Sequence, residues 1–115
     1  MKKHIKILNL FIVFILSVST LLAGSGQVKK ASFKVSGECE MCKKRIESSI
    51  KVEGVEAAVW NPDTKMLKVK YDADKITIEK IHQLIAAAGY DTDTDKANDS
   101  AYNELPKCCQ YRPSK

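Results

Sequence analysis

Cys39-Glu40-Met41-Cys42 stands between a short alternating run that ends at Gly37 and a basic run that opens Lys43-Lys44-Arg45-Ile46-Glu47. Two thiols spaced C-x-x-C at a strand-to-helix turn either chelate a soft metal ion or cycle through a disulfide. Upstream, Ala31-Ser32-Phe33-Lys34-Val35-Ser36 puts Phe33 and Val35 on one face and predicts a strand. Downstream, Ile46 and Ile50 fall one turn apart, with Lys43, Lys44, Glu47 and Lys51 free for the solvent side. That spacing predicts a helix over 41–51, with Gly54 in the turn beyond it.

Further along, residues 55–60 and 66–71 read as two strands joined by the turn formers Asn61, Pro62 and Asp63. In the second of these, Leu67, Val69 and Tyr71 face one way and Lys68 and Lys70 the other, as in an antiparallel sheet with one buried face. Thr77 suits an N-cap, Ile78, Ile81, Leu84, Ile85 and Ala88 make an apolar stripe, and Gly89 stands where a C′ glycine closes a helix. Tyr90-Asp91-Thr92 then starts a short last strand. The expected class is α+β, a ferredoxin-like β-α-β-β-α-β sandwich with a four-stranded antiparallel sheet, two helices on one face and a cysteine-containing C-terminal tail.

The first quarter of the chain reads differently. Lys2, Lys3 and Lys6 precede an apolar stretch from Ile7 to Leu16, small residues follow, and Ala23-Gly24-Ser25 offers a cleavage site, the pattern of a secretory signal peptide. An uncleaved membrane anchor is the alternative, although the stretch falls short of the roughly 20 residues that span a bilayer. The expected division is a signal peptide at 1–24, a linker at 25–30, a domain at 31–95 and a tail at 96–115, in an exported protein of the periplasm or the extracellular space.

Removing residues 1–24 takes away three lysines and no acid, so the formal charge falls from +5 to +2. No lysine and arginine run interleaved with aromatics remains, which argues against nucleic acid as a partner. Membrane contact is expected only through the signal segment. Four cysteines in an exported chain usually mean two structural disulfides, but Cys39 and Cys42 share one short motif and Cys108 and Cys109 are adjacent. Neither pair closes a loop long enough to constrain the unfolded chain, so a ligand or redox role is the better reading.

At a helix N-terminus, unpaired N–H groups and the macrodipole favour thiolate, which binds metals, and the turn places the second thiol there. Two sulfurs alone suit Cu(I), whereas structural zinc wants four ligands. Glu38 and Glu40 oppose the thiolate and widen the choice toward harder ions.

Residues 31–95 resemble the heavy-metal-associated domain of copper chaperones, of copper-transporting P-type ATPases and of the periplasmic mercury-binding protein. The matching residues are Val35, Gly37, Cys39, Cys42, Ile46-Glu47, Ile50, Gly54-Val55, Ala58-Val59, Val69, Tyr71-Asp72 and Ala88-Gly89-Tyr90. The resemblance implies that Cys39 and Cys42 are metal ligands and that Tyr90 neighbours them. It implies Cu(I) as the first candidate ion, with Hg(II), Zn(II) or Cd(II) open, and no catalysis. It also implies ligand exchange with the cysteines of a partner such as a metal-transporting P-type ATPase, with Lys43, Lys44 and Arg45 meeting an acidic docking face or forming a solvated helix face. Where the family usually carries Gly-Met-Thr-Cys, this chain has Gly37-Glu38-Cys39, one residue shorter and without the methionine.

Cys108 and Cys109 stand apart from that pattern. Adjacent cysteines pair with each other only with strain, and soft-ion chemistry makes them candidate ligands that fold back onto the first site or bind metal separately. Residues 93–100 read as a mobile link, and Tyr102, Leu105 and Tyr111 as anchors for docking the tail on the domain at a place the pattern does not specify. His82 reads as a surface or packing residue, Met66 as core or edge and Trp60 as packing at a strand end. Met41 carries a weak thioether ligand that the resemblance turns to solvent. The rival class is a thiol–disulfide oxidoreductase, against which stand the acidic and basic neighbours of the motif.

Overall fold

The structure is a computed structural model and describes residues 27–113. The segment read as a signal peptide lies outside the described residues, among which no helix is long and apolar enough to cross a membrane. Strands β1 (Val28–Lys34), β2 (Val55–Trp60) and β3 (Met66–Asp72) form an antiparallel sheet in the order β1-β3-β2, with helix α1 (Glu40–Ser49) between β1 and β2. Helix α2 (Ile78–Ala87) follows β3, and the tail contributes α3 (Asp99–Asn103) and a single 3₁₀ turn (Lys107–Cys109).

Strand register puts the apolar residues on one face. Phe33 pairs with Leu67 and Ala31 with Val69 on one side of β3, while Trp60 and Ala58 meet the same two residues from the other. These residues join Ile46 and Ile50 from the α1 segment and Ile81 and Ile85 of α2 in one core, so both helices cover the same face. The opposite face carries exposed Lys30, Ser32, Ala57, Val59, Lys68 and Lys70. Thr77 caps α2 by accepting from Lys80 N at 3.1 Å, and Gly89 ends it with φ +106°.

Three expectations need correction. The linker at 25–30 was expected to precede a strand at residue 31, whereas β1 already begins at Val28, where Lys29 and Lys30 pair with Tyr71 and Lys70. Backbone pairing is indifferent to side-chain polarity, so the ladder runs past the apolar alternation. The sheet has three strands among the described residues, not four. At Tyr90-Asp91-Thr92 the chain makes a single bridge, Val35 to Thr92, and then turns, because Thr92 Oγ1 accepts from Asp95 N at 3.0 Å and Thr92 N donates to Asp95 O.

The mobile link is the third. Asn98 Oδ1 accepts from Ala101 N at 2.7 Å and caps α3, so polar residues that read as linker serve as turn and cap. The tail then joins the core through Tyr102, Leu105 and Cys109, all buried.

Candidate metal centre

The motif loop is held from three sides before the helix begins. Val35 N donates to Lys65 O at 2.9 Å, Ser36 N donates to Asp91 O at 2.9 Å, and Trp60 Nε1 donates to Val35 O at 3.0 Å. Gly37 packs edge-on against Trp60, where a Cβ would come within 2.9 Å of the indole and 3.2 Å of Ile46 Cδ1. Cys39 is the extended N-cap of α1 and its carbonyl accepts from Lys43 N at 3.1 Å. Cys42, one turn in, points into the core and is fully buried.

The chain end closes over this loop. Tyr111 Oη donates to Gly89 O and accepts from Asp91 N, each at 2.8 Å, and its ring lies 6.0 Å from Tyr90 and 5.1 Å from Tyr102. Arg112 donates to Asp91 Oδ1 at 2.9 Å and to Ala97 O at 2.6 Å, and its guanidinium covers the Tyr102 ring at 4.4 Å. Burial raises the Asp91 carboxyl, but Arg112, the Ala97 N–H and the Tyr111 hydroxyl outweigh it and hold the pKa below 3.8. Gly89 admits the tail: a Cβ there would meet Ala101 O at 2.9 Å and Leu105 Cγ at 3.0 Å.

These anchors bring four thiols together. Cys39 Sγ lies 3.3 Å from Cys42 Sγ and 3.9 Å from Cys109 Sγ, which in turn is 4.0 Å from Cys108 Sγ. The ligand atoms of Cys39, Cys108 and Cys109 all fall within 4.8 Å of one another. With metal–thiolate bonds of about 2.3 Å, sulfurs sharing one ion stand roughly 3.8 Å apart at tetrahedral angles and 4.6 Å apart when linear. The Cys39–Cys109 and Cys108–Cys109 separations fall between these values, and the Cys39–Cys42 separation is shorter than both.

Cys39, the N-cap, has a lowered thiol pKa. No side-chain cap hydrogen bond forms, yet the Cys42 N–H and then the Cys42 thiol draw Cys39 down from 9.0 to about 7. Near neutral pH thiol and thiolate therefore coexist at Cys39. Cys109 is pushed the other way, above 9.0, first by burial and next by the Cys42 thiol. Tyr90 is fully buried beside both, its hydroxyl has no hydrogen-bond partner, and burial above all raises its pKa.

The remaining sequence candidates sort by packing. His82 is buried, stacks on Phe33 at 4.0 Å and bonds Thr92 Oγ1 through Nδ1 at 2.7 Å, which makes it a brace for the turn. Lys43 pairs with Glu47 and donates to Trp60 O at 3.1 Å, so of the three basic residues only Lys44 and Arg45 are exposed. Met41 is half exposed with its Sδ 3.8 Å from Cys108 Sγ. The Asp91–Arg112 pair escaped the sequence reading because its partners stand far apart in the chain.

Residues 32–91 match the model of the heavy-metal-associated domain. The copper chaperone CopZ of Staphylococcus epidermidis is 38% identical over 60 residues, spanning 50% of this chain and 88% of the relative. CopZ of Bacillus subtilis is 32% identical over 66 residues, 56% of this chain and 96% of the relative. Among solved structures, oxidized MerP from Ralstonia metallidurans CH34 superposes with a TM-score of 0.55 at 28% identity, covering 58% of this chain and 96% of MerP. The water-soluble region of the P-type ATPase CopA from Bacillus subtilis gives 0.56 at 31% identity, covering 60% of this chain and 47% of that one. Cys108 and Cys109 lie beyond the matched residues.

Proposed function

The chain belongs to the heavy-metal-associated domain family, and from that premise we propose that it is an exported, non-catalytic carrier or buffer of a soft metal ion, Cu(I) first. Cys39 and Cys42 hold the ion and Cys109, with Cys108, adds sulfur from the tail. The observation that carries this reading is Cys39 Sγ standing 3.3 Å from Cys42 Sγ and 3.9 Å from Cys109 Sγ. Two relatives are named copper chaperones and a structural neighbour is the N-terminal domain of a potential copper-translocating P-type ATPase, which supports copper and an acceptor of that kind; MerP keeps Hg(II) as the next ion.

Transfer proceeds by ligand exchange: an incoming thiolate binds before a departing sulfur leaves. A site of two thiolates leaves positions open to that attack, whereas tail sulfurs fill them. The tail therefore favours retention and must swing aside, or yield one thiolate, for the ion to pass on. Exposed Lys44 and Arg45 steer an acidic acceptor toward the motif and act mainly on the encounter rate.

Anaerobic titration of the reduced full chain with Cu(I) and Zn(II), against a chromophoric competitor, tests this reading. Cys39→Ser/Cys42→Ser abolishes tight Cu(I) binding, and Cys108→Ser/Cys109→Ser weakens it and speeds release to the competitor. Equal affinity and release in the tail variant would remove the tail from the site. A Cys39 thiol of lowered pKa next to Cys42 also fits thiol–disulfide exchange. Disulfide reductase activity without tight thiol-dependent Cu(I) binding would favour that rival.

A further inference from the structure

Cys108 and Cys109 are adjacent in the chain, with thiols 4.0 Å apart, but differ in exposure. Cys109 is fully buried against Cys39, Cys42 and Tyr90, while Cys108 is exposed and reaches outward to Met41. Met41 is the residue between the motif thiols, on the first turn of α1, and its Sδ lies 3.8 Å from Cys108 Sγ. A half-exposed methionine meeting an exposed thiol from the far end of the chain adds a fifth sulfur to the centre.

The five sulfurs form two overlapping sets. The inner set is Cys42, Cys39 and Cys109, linked by contacts of 3.3 and 3.9 Å through Cys39. The outer set is Cys39, Cys108 and Cys109, mutually within 4.8 Å, with Met41 on its rim; Cys42 is not part of it. One tetrahedral ion takes four ligands, so five sulfurs exceed what a single ion uses. Thiolates have lone pairs enough to bridge two ions, and Cys39 and Cys109 belong to both sets.

We propose that the chain binds a second soft monovalent cation in an outer position built from Cys108, Met41 and the bridging thiolates of Cys39 and Cys109. This rests on the reading that the inner thiols hold such an ion. A thioether and thiolates select Cu(I) or Ag(I) over harder divalent ions. The second cation also offsets negative charge that one monovalent ion leaves on closely spaced thiolates, a repulsion that burial makes stronger. Met41 and Cys108, being exposed, form the face on which an ion arrives before the inner sulfurs take it.

Native mass spectrometry of the reduced full chain, loaded anaerobically with Cu(I) from its bicinchoninate complex, counts the ions. Two ions on a monomer are expected, with copper–copper scattering in X-ray absorption. Met41→Leu loses the second ion and keeps the first; Met41 is half exposed, and an unchanged circular dichroism spectrum verifies that the variant folds. Saturation at one ion, two ions retained in Met41→Leu with unchanged affinity, or a second ion found only in a dimer would overturn the outer site while leaving the inner one standing. Absence of any thiol-dependent ion would instead sink the carrier reading itself, and the outer site with it.

Discussion

The domain from β1 to α2 and the tail that lies against it are held by different physics. In the domain, Phe33, Ile46, Trp60, Leu67, Ile81 and Ile85 bury against one another, and most of the stability comes from apolar area removed from water. Among its described residues the tail buries Ala97, Tyr102, Leu105 and Cys109 and fastens itself by polar bonds, with Arg112 gripping Asp91 and Ala97, and Tyr111 gripping Gly89 and Asp91. Two of the site's thiols ride on each region. The thiol cluster therefore joins a half packed by apolar burial to a half that hydrogen bonds fasten.

That contrast is open to attack in three ways. The largest effect is expected from Ile46→Ala, which empties fully buried space between α1 and the sheet and costs about 2–5 kcal/mol. Chemical denaturation should show the whole chain losing stability and Cys42 becoming alkylatable together with Cys109. If only α1 loosened, the domain would not be one cooperative core.

Arg112→Ala comes next. It leaves the Asp91 carboxylate, 19% exposed, without its cation, and a lost charge-assisted bond of this kind costs about 1–3 kcal/mol. Hydrogen exchange should accelerate in residues 97–111 with β1 to β3 unchanged, and Cys109 should become reactive while Cys42 stays protected. Equal loss of protection in both regions would show that the tail is part of the core rather than fastened to it.

The smallest effect is acid release of the tail. Asp91 has a folded pKa below its ordinary 3.8, so its share of docking stability is fully present above pH 3.8 and drains away as pH falls through the folded value. Near-ultraviolet circular dichroism of the clustered tyrosines should change below pH 3.8 while the far-ultraviolet spectrum holds. In Arg112→Ala the step should shrink, since the guanidinium is the largest influence holding the carboxyl down; an unchanged step would assign it to another group.

Much of the domain was legible because its signals are local. Alternation in β3, the stripe on α2, the Thr77 cap and the Gly89 terminator each follow from residues a few places apart. The missing fourth strand was not legible. Tyr90-Asp91-Thr92 carries strand-compatible residues, and it turns because Thr92 finds a closer partner in Asp95 and because Asp91 is claimed by Tyr111, Arg112 and Ala97. The polar run 93–100 concealed a helix for the same reason, since Asn98 reads equally as linker and as cap.

By itself the sequence determined the two motif thiols, the turn they occupy and the strand and helix on either side, since Cys39-Glu40-Met41-Cys42 is a local unit whose chemistry follows from spacing and from a helix end. Only the tertiary structure decided what meets it. Cys109 reaches Cys39 across 70 positions and Cys108 reaches Met41 across 67, distances over which chain pattern carries no contact information. Folding closes them because Asp91 and Gly89, at the end of the domain, bind Arg112 and Tyr111 and so aim the residues just before them at the motif.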